Sequence, residues 1–165
     1  MLRNLTVQAL IFIAIFNLIS WFKESSLLST SGDIKAPEFE LMDINNQKVT
    51  LASLSDKPTL LFFWAPWCSV CKLTMPNVQD FYQSHSEQFN VVSVALSFQS
   101  PDEIVNFMHQ REYSFTTLLG NADVSQDYKI QAFPTYYVID TDGIVVNKSL
   151  GYSTEIGMLL RSMIL

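Results

Sequence analysis

Hydrophobic and polar positions follow one another along the chain with a spacing that changes from stretch to stretch, and each change predicts an element. Residues 5–22 are apolar except for Thr6, Gln8, Asn17 and Ser20 and show no polar face. Coiled as a helix, residues 4–22 would reach about 28 Å, close to the hydrocarbon thickness of a bilayer, so the run reads as a membrane segment. Residues 24–36, rich in Ser, Thr and Gly, cannot bury a core and read as a mobile linker. Two short apolar–polar alternations, 39–42 and 48–51, flank an Asn-rich stretch and predict a hairpin. Residues 59–64 are almost continuously apolar, as expected of a central strand covered on both faces. A helix should run from Cys68 to about His85, kinked at Pro76. Residues 89–96 read as a buried strand. Ser100, Pro101 and Glu103 read as N-cap, first helical residue and capping-box acid of a helix reaching about Arg111. A short strand over 115–119 and a short helix over 124–128 follow. Strands 135–139 and 144–150 should pair across Asp140-Thr141-Asp142-Gly143. Ser153 should cap a last helix that turns Ile156, Leu159, Leu160 and Met163 to the core. Strands alternating with helices and closing on a hairpin and a helix predict an α/β sandwich with a mixed central sheet.

Composition narrows the organisation. With 165 residues, 48 % of them apolar, the chain can bury one good core, so we read residues 1–23 as an N-terminal transmembrane anchor or signal segment, 24–36 as linker and 37–165 as one domain. Arg3 and the terminal amine precede the apolar run, while Lys23 and Glu24 cancel after it. The positive-inside rule then leaves the amino terminus in the cytoplasm and the domain outside. The run ends in bulky Trp21 and Phe22 with no A-x-A-like site, which favours an uncleaved anchor; cleavage near Ser29 or Ser31 is the alternative. The net charge of −6 and the absence of a basic stripe argue against nucleic acid as a partner.

Both cysteines lie in Trp64-Ala65-Pro66-Trp67-Cys68-Ser69-Val70-Cys71-Lys72. The C-x-x-C spacing suits a reversible disulfide, half of a zinc site or a soft-metal carrier. A closed zinc site needs four ligands, and beyond the cysteines only His85 and His109 remain, at no finger-like spacing. With Cys68 capping a helix, its sulfur meets free backbone N–H groups and the positive end of the helix dipole, both of which favour the thiolate. Cys68 is then the nucleophile, and Cys71, about one turn on, the thiol that resolves a mixed disulfide. Ser69 and Val70 between them add no charge. His85 and His109 read as surface residues of helices, and Trp64 as packing.

Residues 63–72 resemble the active-site segment of the thioredoxin superfamily, and Tyr128-Lys129-Ile130-Gln131-Ala132-Phe133-Pro134-Thr135 resembles its tyrosine-to-proline loop. The resemblance implies a thioredoxin-like fold in which Pro134 is cis, faces the sulfurs, and follows a residue, Phe133, whose backbone pairs with substrate; Trp67 would line the client's docking face. The hairpin before the first long strand is similar to the start of membrane-anchored TlpA-, ResA-, DsbE- and ScsD-like proteins and of peroxiredoxins. What the first of these groups implies is a protein-disulfide oxidoreductase without cofactor or metal. It would be a single-pass protein of the bacterial inner membrane with its catalytic domain in the periplasm or another extracytoplasmic space. It would act on client thiols and disulfides, be supplied by a membrane donor of the DsbD or ScsB kind, and serve as a reductant in cytochrome c maturation or copper and redox stress; an oxidising or isomerising role is the alternative direction. Two acids that relatives use near the resolving thiol are replaced by Phe62 and Thr74; Asp80 and Glu103 are the acidic substitutes, each more simply read as a solvated helix residue. A peroxiredoxin-type peroxidase is one alternative, yet Ala65 stands where its motif needs a hydroxyl. A Sco-like copper module is another, and its C-x-x-x-C is one residue longer than the spacing here.

Overall fold

The computed structural model of the chain describes residues 27–30 and 34–163; the apolar run 5–22 lies outside them. Among the described residues no helix is long and apolar enough to cross a membrane. Chain order is β1 (Glu40–Asp43), β2 (Lys48–Thr50), a 3₁₀ turn (Leu51–Leu54), β3 (Thr59–Trp64), α1 (Ser69–His85), β4 (Asn90–Ala95), α2 (Pro101–Gln110), β5 (Thr116–Leu119), α3 (Ala122–Asp127), β6 (Thr135–Ile139), β7 (Val145–Leu150) and α4 (Glu155–Ser162).

The apolar run 59–64 becomes β3, and its neighbours explain why it needs no polar face. It pairs in parallel with β4, Thr59 opposite Asn90 through Trp64 opposite Ala95, and antiparallel with β6, Thr59 opposite Ile139 through Phe63 opposite Thr135. Alternate side chains go to opposite layers. Leu60, Phe62 and Trp64 pack with Met75, Val78 and Phe81 of α1, Ile104 and Met108 of α2, and Met158 of α4. Leu61 and Phe63 join Val124 of α3, Phe39, Leu41, Leu51 and Tyr128 on the other side. Each such Leu or Phe contributes about 1.5–3 kcal/mol by leaving water. The seven-stranded sheet runs β2-β1-β5-β4-β3-β6-β7, mixed as predicted, with the hairpin strands forming one edge and β7 the other.

Two turns are closed by the same device. Asp43 Oδ1 accepts the N–H groups of Asn45 (2.8 Å) and Gln47 (2.7 Å), and Asp140 Oδ1 accepts those of Asp142 (3.0 Å) and Ile144 (2.7 Å). In the second, Gly143 takes φ +78°, where a side chain would be strained.

The structure corrects four readings. The box at the start of α2 is half made: Ser100 Oγ accepts from Glu103 N–H, but the Glu103 carboxylate takes the N–H of Gln99 (2.8 Å), one residue earlier. The short helix begins at Ala122, because Asn121 Oδ1 caps it through Val124 N–H (2.9 Å). Thr154, not Ser153, caps α4, its Oγ1 accepting from Gly157 N–H at 3.1 Å. Finally, α4 buries Met158, Ser162 and part of Leu159, and turns Ile156, Leu160 and Met163 outward. Apolar residues surround this helix almost completely, so the pattern could not choose a face; contact with α1 and β7 did.

Residues 27 and 28 depart from the mobile linker that the composition predicts. Leu27 and Leu28 are buried, Leu28 N–H donates to the Tyr137 hydroxyl (3.3 Å), and Lys148 Nζ donates to Leu28 O (3.0 Å). Lys35 then bridges to Ile144, so this stretch runs along the start of β7.

Candidate active site

The strand β3 delivers Trp64 into the core, where it is fully buried, its Nε1–H donating to Ser93 Oγ (3.3 Å) and its ring 5.1 Å from that of Phe107. A turn closed by Cys68 N–H donating to Ala65 O (3.0 Å) then reverses the chain into α1. Cys68 is the N-cap of that helix: its sulfur accepts the N–H of Cys71 at 3.1 Å. The two cysteines form a disulfide, with Cα atoms 5.2 Å apart. Once the bond is reduced, the same N–H group and the positive helix end face the Cys68 thiolate. Cys68 retains 6 % exposure and Cys71 none, so an incoming sulfur reaches Cys68 first.

Antiparallel pairing brings the second predicted motif to the same end of the sheet. Because Thr135 opposes Phe63, the residues before β6 lie beside the end of β3 that leads into the cysteines. The Phe133–Pro134 bond is cis. Pro134 O accepts from Gly151 N–H (2.8 Å), whereas the Phe133 main chain makes no hydrogen bond among the described residues, leaving a short free edge for an extended peptide. Trp67 completes the group: its ring meets Phe133 edge-on at 5.7 Å, and its Nε1–H donates to Ser97 O (3.2 Å). Trp67 and Phe133 are thus in ring contact, and the β3–β6 pairing sets Pro134 at the end of the sheet that leads into Cys68. A groove of about 410 Å³ continues past Ser97, between Phe98, Asn121, Ala122 and Ser125.

Sequence reasoning passed over Val70 and Leu73, which extend the apolar rim. Both are exposed, one turn apart on α1, and with Trp67 they add uncovered apolar surface to the start of the helix that carries the cysteines. Their spacing of three on the helix that carries the cysteines was the available signal. Ser97 was also missed; it holds φ +54°, a left-handed conformation that costs a non-glycine residue about 1 kcal/mol. No pattern announces such a residue.

Neither acidic substitute serves Cys71. Asp80 is exposed and nine residues along the helix, roughly 13 Å away at 1.5 Å per residue. Glu103 is committed to Gln99. Phe62 and Thr74 are fully buried, with Thr74 Oγ1 donating to Val70 O (2.9 Å). Among the described residues the only buried carboxylate is Asp43, in the hairpin turn. Directly across from Phe62 stands Tyr136, buried with a hydroxyl that has no partner. His109 is exposed as predicted, but His85 is largely covered: its ring lies 4.9 Å from Phe81 and its Nε2 3.7 Å from Glu155 Oε1, joining the end of α1 to the start of α4.

The family model described as AhpC/TSA matches residues 33–148, which is more than half of the chain. The chain belongs to the AhpC/TSA family. The thiol-disulfide oxidoreductase ResA of Oceanobacillus iheyensis is 32 % identical over 147 residues, covering 86 % of this chain and 76 % of the relative. Sporulation thiol-disulfide oxidoreductase A of Bacillus subtilis is 26 % identical over 148 residues, covering 87 % and 89 %. The crystal structure of the pneumococcal exposed lipoprotein thioredoxin Etrx1 from Streptococcus pneumoniae superposes with a TM-score of 0.71 at 24 % identity, covering 78 % of this chain and 100 % of that one, which shows the thioredoxin-like fold. With Cys68 capping α1 and bonded to Cys71, this AhpC/TSA chain is a thiol-disulfide oxidoreductase of the ResA and StoA kind.

Proposed function

We propose that this chain is a membrane-anchored, extracytoplasmic reductant of client protein disulfides, of the sort needed in cytochrome c maturation or in copper and redox stress. The observation that carries the reading is the unequal placement of the two sulfurs at the start of a helix that bears exposed apolar side chains. Cys68 keeps a slight exposure at a helix N-terminus, Cys71 is sealed beneath it, and exposed Trp67, Val70 and Leu73 offer apolar surface to an extended client segment. The apolar run 5–22 behind Arg3 supports the location, as does the pneumococcal neighbour, an exposed lipoprotein.

The chemistry balances in two exchanges. The Cys68 thiolate attacks one sulfur of the client disulfide; a Cys68–client bond forms and the other client sulfur leaves as a thiolate that takes a proton. Cys71, having lost its proton, then attacks Cys68 Sγ; the Cys68–Cys71 bond forms and the second client thiolate departs. Two electrons have passed from the dithiol to the client, and a membrane dithiol donor of the DsbD or ScsB kind restores the pair. A peroxidase reading lacks the hydroxyl near Cys68, since position 65 is Ala and offers only its carbonyl.

Acid quenching of intact cells followed by thiol alkylation tests the direction. A mostly reduced Cys68–Cys71 pair is expected. A mostly oxidised pair would make the protein an oxidant, and a pair that responds to neither added oxidant nor reductant would overturn redox activity altogether.

A further inference from the structure

We infer that the outward face of α4 rests on the surface of the lipid bilayer and seats the catalytic domain there. The inference depends on the anchored reading of residues 5–22 and adds a contact which that reading does not contain.

The first observation is the face itself. Ile156, Leu160 and Met163 are 68 %, 61 % and 67 % exposed and lie at i, i+4 and i+7, in one row along the helix. Tyr152, also exposed, precedes them. Apolar rows of this kind on an otherwise well-packed domain mark contact surfaces. Charge favours a membrane surface: the only carboxylate of α4, Glu155, is turned toward His85 of α1, and its only cation is Arg161. The outward row thus carries no acid, as on the apolar face of a helix that lies in a membrane interface.

The second observation is the length of chain between the domain and the apolar run. Composition predicts a loose tether of a dozen residues, but Leu27 and Leu28 are already buried, with both the N–H and the carbonyl of Leu28 hydrogen-bonded. Only residues 23–26 separate Phe22 from Leu27. Five Cα steps at about 3.6 Å allow roughly 18 Å at full extension. The end of an anchored segment therefore stays within roughly 18 Å of the point where Leu27 docks.

The third observation places α4 at that point. Two consecutive residues of the edge strand β7 hold the two pieces. Lys148 Nζ donates to Leu28 O on one face of the sheet (3.0 Å), and Asn147 Nδ2 donates to Arg161 O of α4 on the other (3.2 Å). Tether and helix thus reach the same edge strand from opposite faces of the sheet, and a bilayer lying along that edge can touch both. Because Gly151 N–H holds Pro134 O just before α4 begins, this seat would also fix the cysteines relative to the membrane and favour client thiols held near its surface.

The test uses the full chain carrying Leu160→Cys, labelled with an environment-sensitive fluorophore while the Cys68–Cys71 disulfide is intact, in phosphatidylcholine–phosphatidylglycerol vesicles containing doxyl-labelled acyl chains. The same label at Gln110→Cys, at the exposed end of α2, is the reference. The chain should float with the vesicles, and quenching at position 160 should exceed that at 110 by at least about twofold. Adding Ile156→Ser and Met163→Ser, both on the exposed row, should bring position 160 down to the reference. Flotation with equal quenching at the two positions would overturn the seat and leave the anchor standing. Equal quenching with energy transfer between labels would assign the face to a second copy of the chain instead, and failure to float would overturn the anchor itself.

Discussion

Cys68 and Cys71 share one helical turn and differ in what surrounds them: one caps the helix at the surface, the other is sealed below it. Division of labour follows from that difference. Cys71→Ser should leave Cys68 able to attack and unable to be released, so mixed disulfides with clients should accumulate on non-reducing gels; Cys68→Ser should give none and abolish exchange. Tyr136 offers a separate check on burial. Its hydroxyl has no partner among the described residues, so Tyr136→Phe should preserve or raise stability, by up to about 1 kcal/mol in denaturant titration, because it deletes an uncompensated desolvation. A loss of stability would show that a partner is present. Tyr137 ties stability to alkaline pH. Burial pushes its hydroxyl from 10.0 up to about 12, and its proton is given to Tyr128 O at 2.7 Å. The folded state therefore keeps a proton that the unfolded chain releases, so this contribution is whole below about pH 10 and fades as pH climbs toward 12. Tyrosinate absorbance should show Tyr137 ionising only as the protein unfolds, and Tyr137→Phe should flatten the alkaline loss.

At the scale of elements, most strands and helices were legible because their cues are local: an apolar run for β3, Ser100 and Pro101 opening α2, and Asp140 and Gly143 in the last turn. The last helix was not, since Ile156, Met158, Leu159, Leu160 and Met163 leave it apolar almost all round. Its orientation can be measured. Met158→Ala should cost about 2–5 kcal/mol, as removal of a fully buried side chain does, whereas Ile156→Ser should stay within about 0.5 kcal/mol. Equal costs in chemical denaturation would contradict the observed face.

Across the whole molecule, the site exists because the sheet order sets β6 beside β3 and brings Phe133 and Pro134 to the cysteines some sixty residues earlier in the chain. The fit is close elsewhere too: a Cβ on Gly120 would lie 2.6 Å from Val94 Cγ1 and 2.9 Å from Ala95 O, so the end of β5 passes β4 only as glycine. The apolar rim is likewise a product of assembly, joining Trp67 in the turn, Leu73 on α1 and Phe133 before β6. Trp67→Ala with Leu73→Ser should raise KM for a protein disulfide such as insulin by several-fold and leave reaction with a small dithiol unchanged. If both reactions fall together, the rim acts through the fold and not through the client.

Beyond the proline loop, known by its resemblance to the thioredoxin superfamily, sequence alone determined two local features of the chemistry: two thiols one helical turn apart and a strand leading into them. These features rest on interactions between near neighbours, whose spacing is set by the geometry of one helix or strand. Tertiary structure decided which face of α4 is covered, that Leu27 and Leu28 dock beside β6 and β7 in place of a free tether, and that no carboxylate among the described residues stands beside Cys71. Each of those outcomes is a competition among surfaces for the same buried space, and a one-dimensional pattern does not contain the competitors.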